Sequence, residues 1–383
     1  MFRLEGMSKN QLAEPSTVAP TEAAIEYDPA ARARRVALIK ALEETTGTRV
    51  ISYVTGDRPT LQTVLAGDAH SLIYSHLAEL DRSNPSATRD QRRLGMFLYT
   101  AGGVTTASWG VVNLIRDFAD SFTVFVPYKA LSAGTLVALG ADTLHITRLG
   151  QLSPVDPSLN SPYNPAAPGQ VPGAPPQFLP VSVEAVMGYI SLAKEVGLKG
   201  DEALSTVLKS LTDKVHPLAL GDVYRSREQI TTLASRLLKM GKRELTALQI
   251  ESIVETLTKR LGSHDYLINR SEAKELLGGW VKDPTPEVEK IMMNLYREYA
   301  DLMKLNSPYN PDEELGGVDE RELAYTRAAI ESANRYDAFT TLRRLKRVTI
   351  QQPGPIPMAV TGHQQTLIRE GWRCFDRSGA DGQ

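Results

Sequence analysis

The chain has a single cysteine, Cys374. That excludes an intrachain disulfide and any cysteine-built metal site, and it fits a reducing compartment. Long hydrophobic runs are missing as well: no stretch reaches the roughly 20 apolar residues that cross a bilayer, and the N-terminus lacks the apolar region of a signal peptide. A cytoplasmic protein without an integral membrane segment is expected. Charge of one sign is not in excess, with 43 basic against 45 acidic residues and a net charge of −2. This leaves no broad electrostatic surface for nucleic acid or membrane, and no nucleic-acid partner is expected. HExxH, CxxC and GxxxxGKS motifs are all absent, so zinc, metallopeptidase and P-loop chemistry have no support. The Gly278-Gly279-Trp280 stretch lacks the strand and helix context of a nucleotide site. Neither a metal nor a cofactor is expected.

What is present is an ordinary globular composition, 42% apolar and 23% charged residues over 383 positions. That length exceeds what one hydrophobic core usually serves, so a core with a large appendage is expected. Residues 1–30 are polar and proline-punctuated, and read as a disordered tail. A core is expected over 31–222, a helical extension over 223–345, and a C-terminal segment with short strands over 346–383. Within the core a helix from Pro29 to Thr45 precedes a strand from Arg49 to Val54. An amphipathic helix follows over Asp68 to Leu80, then strands at Leu94–Thr100, Phe122–Val126 and Thr143–Thr147. Strands alternating with helices of this length imply βαβ crossovers and a largely parallel sheet.

Residues 154–180 hold nine of the 23 prolines and read as a long loop, since proline is excluded from helix interiors and central strands. Beyond it the pattern turns helical, with helices expected over Val181–Val196, Gly200–Leu211, Ser226–Met240, Thr246–Leu261, Ser271–Leu277, Pro286–Leu305 and Glu320–Leu345. Two short strands, Arg347–Ile350 and Pro357–Thr361, flank a Pro-Gly turn.

Two features carry chemistry. Gly102-Gly103 closes a strand, where glycine lets the backbone approach a ligand and take φ values other residues avoid. Ser132 opens a helix one strand later, in Tyr128–Asp142 (YKALSAGTLVALGAD). A serine there is either an N-cap or an exposed nucleophile with free amides beside it. The N–H groups of Gly103 and Ala133, with Gly102 adjacent, would bind the oxygen of a tetrahedral intermediate.

The stretches YTAGGVTTASWGVVNLIRDFAD, VPYKALSAGTLVALGAD and GQLSPVDPSL together resemble the serine dehydrogenase proteinase family, as do His216–Ile230 and Ser263–Gly278. That family is related to signal peptide peptidase A and the Clp protease proteolytic subunit, in the ClpP/crotonase superfamily. The resemblance covers roughly residues 36–280. It implies an α/β fold, a ClpP/crotonase-like spiral of ββα units, here with a helical C-terminal extension. It also implies Ser132 as nucleophile, oxyanion donors from Gly103 and Ala133, a homo-oligomer, a peptide or protein substrate, and hydrolysis through an acyl-enzyme without metal or cofactor.

A serine hydroxyl needs a neighbour to accept its proton, normally His or Lys. The family's histidine position falls at Val155 or Asp156, and its lysine position near Pro180, Val181 and Ser182, none of which is a lysine. Asp156, His216 and His264 are the candidates for base or for the group that orients it, with Lys129 and His145 behind them. Asp265 stands beside His264. His70, His76 and His363 read as surface or packing residues. Two other readings stay open: a scaffold of this fold that hydrolyses nothing and binds peptide, and a crotonase-type acyl-CoA enzyme.

Overall fold

The computed structural model describes residues 27–83, 85–155, 158–159, 162–167, 177–179, 181–261, 263, 265–352 and 358–375. The expected N-terminal tail falls almost wholly outside these residues, as do much of the proline-rich loop, Asp156 and His264.

Helix α1 (Pro29–Thr46) starts where Asp28 accepts the amides of Ala30 and Ala31, with Pro29 at the first helical position. It stops at Gly47, whose φ of 64° suits a residue without Cβ. Strands β1 (Arg49–Thr55), β2 (Arg93–Tyr99), β3 (Ser121–Val126) and β5 (Thr143–Ile146) follow, the first three buried along nearly their whole length. Continuous burial of this kind is what a parallel sheet covered on both faces requires. Between them run α2 (His70–Ser83), α3 (Thr105–Phe118), a two-residue strand β4 (Lys129–Ala130) and α4 (Ala133–Leu139).

The remaining short strands are β6 (Gln151–Leu152), β7 (Ser158–Leu159), β8 (Val181–Ser182), β9 (Ile268–Asn269) and β10 (Val281–Lys282). The helices among and after them are α5 (Val183–Glu195), α6 (Asp201–Thr212), α7 (Pro217–Met240), α8 (Ala247–Glu255), α9 (Arg270–Leu277), α10 (Pro286–Leu302) and α11 (Pro311–Leu315). Three long strands close the chain: β11 (Glu320–Glu331), β12 (Tyr336–Gln352) and β13 (Met358–Cys374).

The main sheet has the order β10-β5-β3-β2-β1-β11-β12-β13. Its first five strands run parallel to their neighbours and the last three are antiparallel. One face is covered by a core built from Ile73, Leu77, Val111, Ile115, Leu136, Val137, Leu237 and Ile253, contributed by α2, α3, α4, α7 and α8. The other face is covered by α1 and α10 through Ile39, Leu42, Met292, Leu295 and Tyr299. The architecture is a mixed α/β fold around a central sheet.

One expected element is overturned. Glu320–Leu345 is not a helix but β11 and most of β12, joined by a turn in which Ser332 N–H donates to Arg335 O at 2.9 Å. Pairing with β1 decides it: Ser52 faces Glu331 and Thr55 faces Ala328, contacts nearly 280 residues apart in sequence. The Glu331 carboxylate is fully buried and takes Arg32 at 2.8 Å, Arg35 at 2.7 Å and the Tyr299 hydroxyl at 2.7 Å. The two short strands foreseen near the C-terminus are the distal part of the long β12–β13 hairpin.

Candidate active site

The parallel strands deliver three loops to one edge of the sheet. The first leaves β1 at Thr55, the second leaves β2 through Thr100 to Gly103, and the third leaves β3 and reaches Ser132. They are sewn together by hydroxyl groups. Thr55 Oγ1 donates to Thr100 Oγ1 at 2.7 Å, and Thr100 Oγ1 both accepts from Gly102 N–H at 3.0 Å and donates to Gly102 O at 3.1 Å. Leu65 fixes the glycine loop from the other side: its N–H donates to Gly102 O and its carbonyl accepts from Val104 N–H.

Both glycines are required by geometry. Gly102 has a φ of 121° and Gly103 a φ of 154°. A Cβ on Gly103 would stand 2.2 Å from Leu65 O, which nothing could relieve without moving the loop. A Cβ on Gly102 would stand 3.0 Å from Ser132 Cβ and 3.6 Å from Ser132 Oγ. Gly102 is thus the surface against which Ser132 rests.

Ser132 has a φ of 50° and a ψ of −109°, outside the regions where L-residues rest, an arrangement that costs on the order of 1–3 kcal/mol. It occupies the N-cap position of α4, yet its side chain makes no capping bond. The hydroxyl has no hydrogen-bond partner among the described residues, and the residue keeps 7% of its surface exposed. The common reading of such a serine as a helix cap is therefore excluded by geometry.

What holds this backbone is a second group of hydroxyls. Ser132 N–H donates to Ser153 Oγ at 2.8 Å. Thr135 Oγ1 lies 3.0 Å from Ala130 O and 2.9 Å from Ser153 O, its one proton shared between them, and accepts from Ser153 N–H at 3.1 Å. Ser108 Oγ, from α3, donates to Ala133 O at 2.7 Å. The amides of Gly103 and Ala133 donate to no group among the described residues. Ser153 was missed in the sequence although it lies inside the GQLSPVDPSL stretch, since a serine before proline carries no signal of a contact 21 residues back.

The other candidates separate cleanly. Lys129 is held by Asp57 at 2.6 Å and lies 5.0 Å from the Tyr128 ring centre. Asp57 also accepts from the Tyr99 hydroxyl at 2.7 Å. Burial, reinforced by Asp57, pushes the Tyr99 phenol well above its usual range. His145 stacks on Phe125, which belongs to the core on the sheet face opposite α4. Burial, with Lys282 beside it, lowers the His145 pKa.

His216 is an exposed N-cap of α7, accepting from Leu218 N–H and stacked on Tyr163. Leu237 of the same helix touches the α4 end at Gly140, so His216 stands roughly 30 Å along the axis from that contact. The structure does not bring His216 to Ser132. His76, expected at the surface or in packing, is fully buried between Ser332 Oγ at 2.9 Å and Asp337 Oδ2 at 3.1 Å. That Ser-His-Asp set has no opening for a substrate and ties α2 to the β11–β12 turn.

Asp156 and His264 lie outside the described residues, but their neighbours do not. Val155 N–H donates to Leu257 O at 2.9 Å, and β6 pairs with β9, placing Leu152 opposite Ile268. The described strands β6 and β9 thus pair next to Ser153.

Residues 24–168 match the family of ClpP-like SDH-type serine proteinases. The SDH-type match contains Gly102, Gly103, Ser132 and Ser153. Two proteins of Methanocaldococcus jannaschii are similar to the chain. Uncharacterized protein MJ0137 is 29% identical over 221 residues, 57% of this chain, and uncharacterized protein MJ1495 is 24% identical over 263 residues, 69% of this chain. The chain spans 64% of the length of the first and 76% of the second.

Among solved structures, a serine-to-alanine mutant of the 1510-N membrane-bound stomatin-specific protease aligns at 16% identity with a TM-score of 0.29, covering 59% of this chain and 79% of that one. A lysine-to-alanine mutant of the same protease, in complex with a substrate peptide, aligns at 17% identity with a TM-score of 0.22, covering 61% and 94%. Among the described residues no helix is long and apolar enough to cross a membrane, and no cluster of His, Cys, Asp and Glu has the makings of a metal site.

Proposed function

We propose that the chain is a serine peptidase or related acyl hydrolase in which Ser132 is the nucleophile. The observation that carries this reading is the strained Ser132 backbone with an unbonded hydroxyl resting on Gly102, beside two amides with no partner among the described residues. Strain held in place by surrounding hydrogen bonds is found where a side chain must be presented.

In the reaction Ser132 Oγ forms a bond to the carbonyl carbon of a peptide or ester, and its proton passes to a base. The carbonyl oxygen takes the negative charge and accepts from Gly103 and Ala133 N–H. The bond to the leaving group then breaks, the leaving amine takes the proton, and water repeats the sequence on the acyl-serine. We take His264 as the base and Asp156 as the group that orients it from the sequence candidates; the described strands β6 and β9, which precede Asp156 and follow His264 in the chain, pair next to Ser153. Gly102, Gly103, Ser132 and Asp156 lie on the family-matched segment and His264 lies beyond it; a homo-oligomer acting on peptide or protein substrates is part of the proposal. The single cysteine supports placing it in the cytoplasm.

A fluorophosphonate probe tests the reading. Labelling of the wild type, lost in Ser132→Ala and strongly slowed in His264→Ala, is the expected result. One observation favours a scaffold without hydrolysis: no His or Lys among the described residues reaches the Ser132 hydroxyl. A folded wild type that takes up no probe and turns over no peptide or casein would establish that alternative.

A further inference from the structure

The edge of the sheet opposite Ser132 holds a cavity of about 530 Å³. It lies where β1 and β2 begin, between Arg49, Arg93 and the C-terminal ends of α2 and α3. The strands are seven residues long, which puts it about 20 Å from the site at their far ends. Its volume is in the range of small-molecule sites, which combine apolar lining with a few placed polar groups.

Leu80, Leu94 and Phe118 supply the apolar lining, and Arg49, Arg92 and Arg93 the charge, against one carboxylate, Asp81. Two of the arginines are engaged: Arg92 with Asp81, and Arg49 with Glu43 at 3.3 Å. The Arg93 side chain, exposed at the start of β2, has no carboxylate and no hydrogen-bond partner among the described residues. A neighbouring cavity of about 540 Å³ shares Gly47 and Arg49, but it is lined by Glu43 and Glu44 as well as Lys40, so an anion favours the first.

We propose that this cavity is a binding site for a small amphipathic anion, a carboxylate or phosphate carried on an apolar body, with Arg93 as its charge partner. The Arg93 guanidinium offers paired N–H donors that match two oxygens of such a group. The leucine and phenylalanine surface takes the body, so an inorganic anion satisfies only half of the site. Because the pocket is separate from Ser132, occupancy does not depend on hydrolysis.

The test uses the full chain and isothermal titration with phenyl phosphate, inorganic phosphate and benzylamine. Phenyl phosphate is expected to bind, inorganic phosphate about tenfold more weakly, and benzylamine not at all. Arg93→Gln, at an exposed strand start, should weaken phenyl phosphate about tenfold while leaving the melting temperature unchanged. Ala87→Trp, which adds a large side chain to the cavity lining, should abolish binding. Absence of phenyl phosphate binding, equal binding of benzylamine or inorganic phosphate, or binding unchanged by either variant overturns the proposal. Fluorophosphonate labelling at Ser132 should be the same in both variants, so failure here leaves the hydrolase reading untouched.

Discussion

The amide of Ser132 donates to the hydroxyl of Ser153 at 2.8 Å. This bond occupies the Ser132 N–H, whereas the amides of Gly103 and Ala133 have no partner among the described residues. It also ties a strained residue to the segment that pairs with Leu257 and Ile268.

Ser153→Ala should therefore slow probe labelling of Ser132 about tenfold or more, since the amide is left buried and unpaired at a cost of about 1–3 kcal/mol. Ser153→Thr, which keeps the acceptor oxygen, should recover part of the rate. Labelling kinetics with a parallel denaturant midpoint check this; equal rates in wild type and Ser153→Ala would remove Ser153 from the site.

Gly102→Ala is expected to lower turnover by about 10²- to 10³-fold, because the added methyl displaces Ser132 and the adjacent donors. Gly103→Ala should be worse for the fold, since its Cβ meets backbone at 2.2 Å. Circular dichroism and peptide turnover together distinguish the two effects.

Glu331 anchors the C-terminal strands to α1. Replacing it with Gln leaves Arg32 and Arg35 buried without their counter-charge, and a loss of about 3–5 kcal/mol in unfolding free energy is expected. Tyr299→Phe, which removes one hydrogen bond to the same carboxylate, should cost about 1 kcal/mol. Urea titration measures both. A Glu331→Gln variant as stable as wild type would mean the ion cluster contributes nothing net.

Asp337 sets an acid limit. Burial raises its pKa, but hydrogen bonds from His76 and Arg335 and their charges outweigh it, so the carboxyl sits below its usual range. A folded pKa below the unfolded one gives stability that is complete above about pH 4 and is lost as the pH falls through the folded value. Asp337→Asn should be less stable at neutral pH and show a shallower loss below about pH 4. Denaturant midpoints across that range would reveal identical acid slopes if Asp337 plays no part.

The parallel core was legible because its signals are local. Apolar runs such as Phe122–Val126, glycine pairs and helix periods act over a few residues, and helices α1 and α2 fall within a few residues of their expected limits. The order of Gly102-Gly103 and Ser132 was legible for the same reason. The Glu320–Leu345 stretch was not: β1 offers an edge far away in the chain, and pairing with it overrides local preference.

From sequence alone came the candidate serine, the glycine pair and the strand order that puts them in neighbouring loops. Only the tertiary structure decided that Ser132 takes a φ of 50° and leaves its hydroxyl unbonded, that Ser153 occupies its amide, and that His216 and Lys129 are engaged elsewhere. The reason is that backbone strain and hydrogen-bond choice depend on which distant groups fold against a residue, and Ser153, Thr135 and Ser108 reach Ser132 and Ala133 only once β6 and α3 are packed in place.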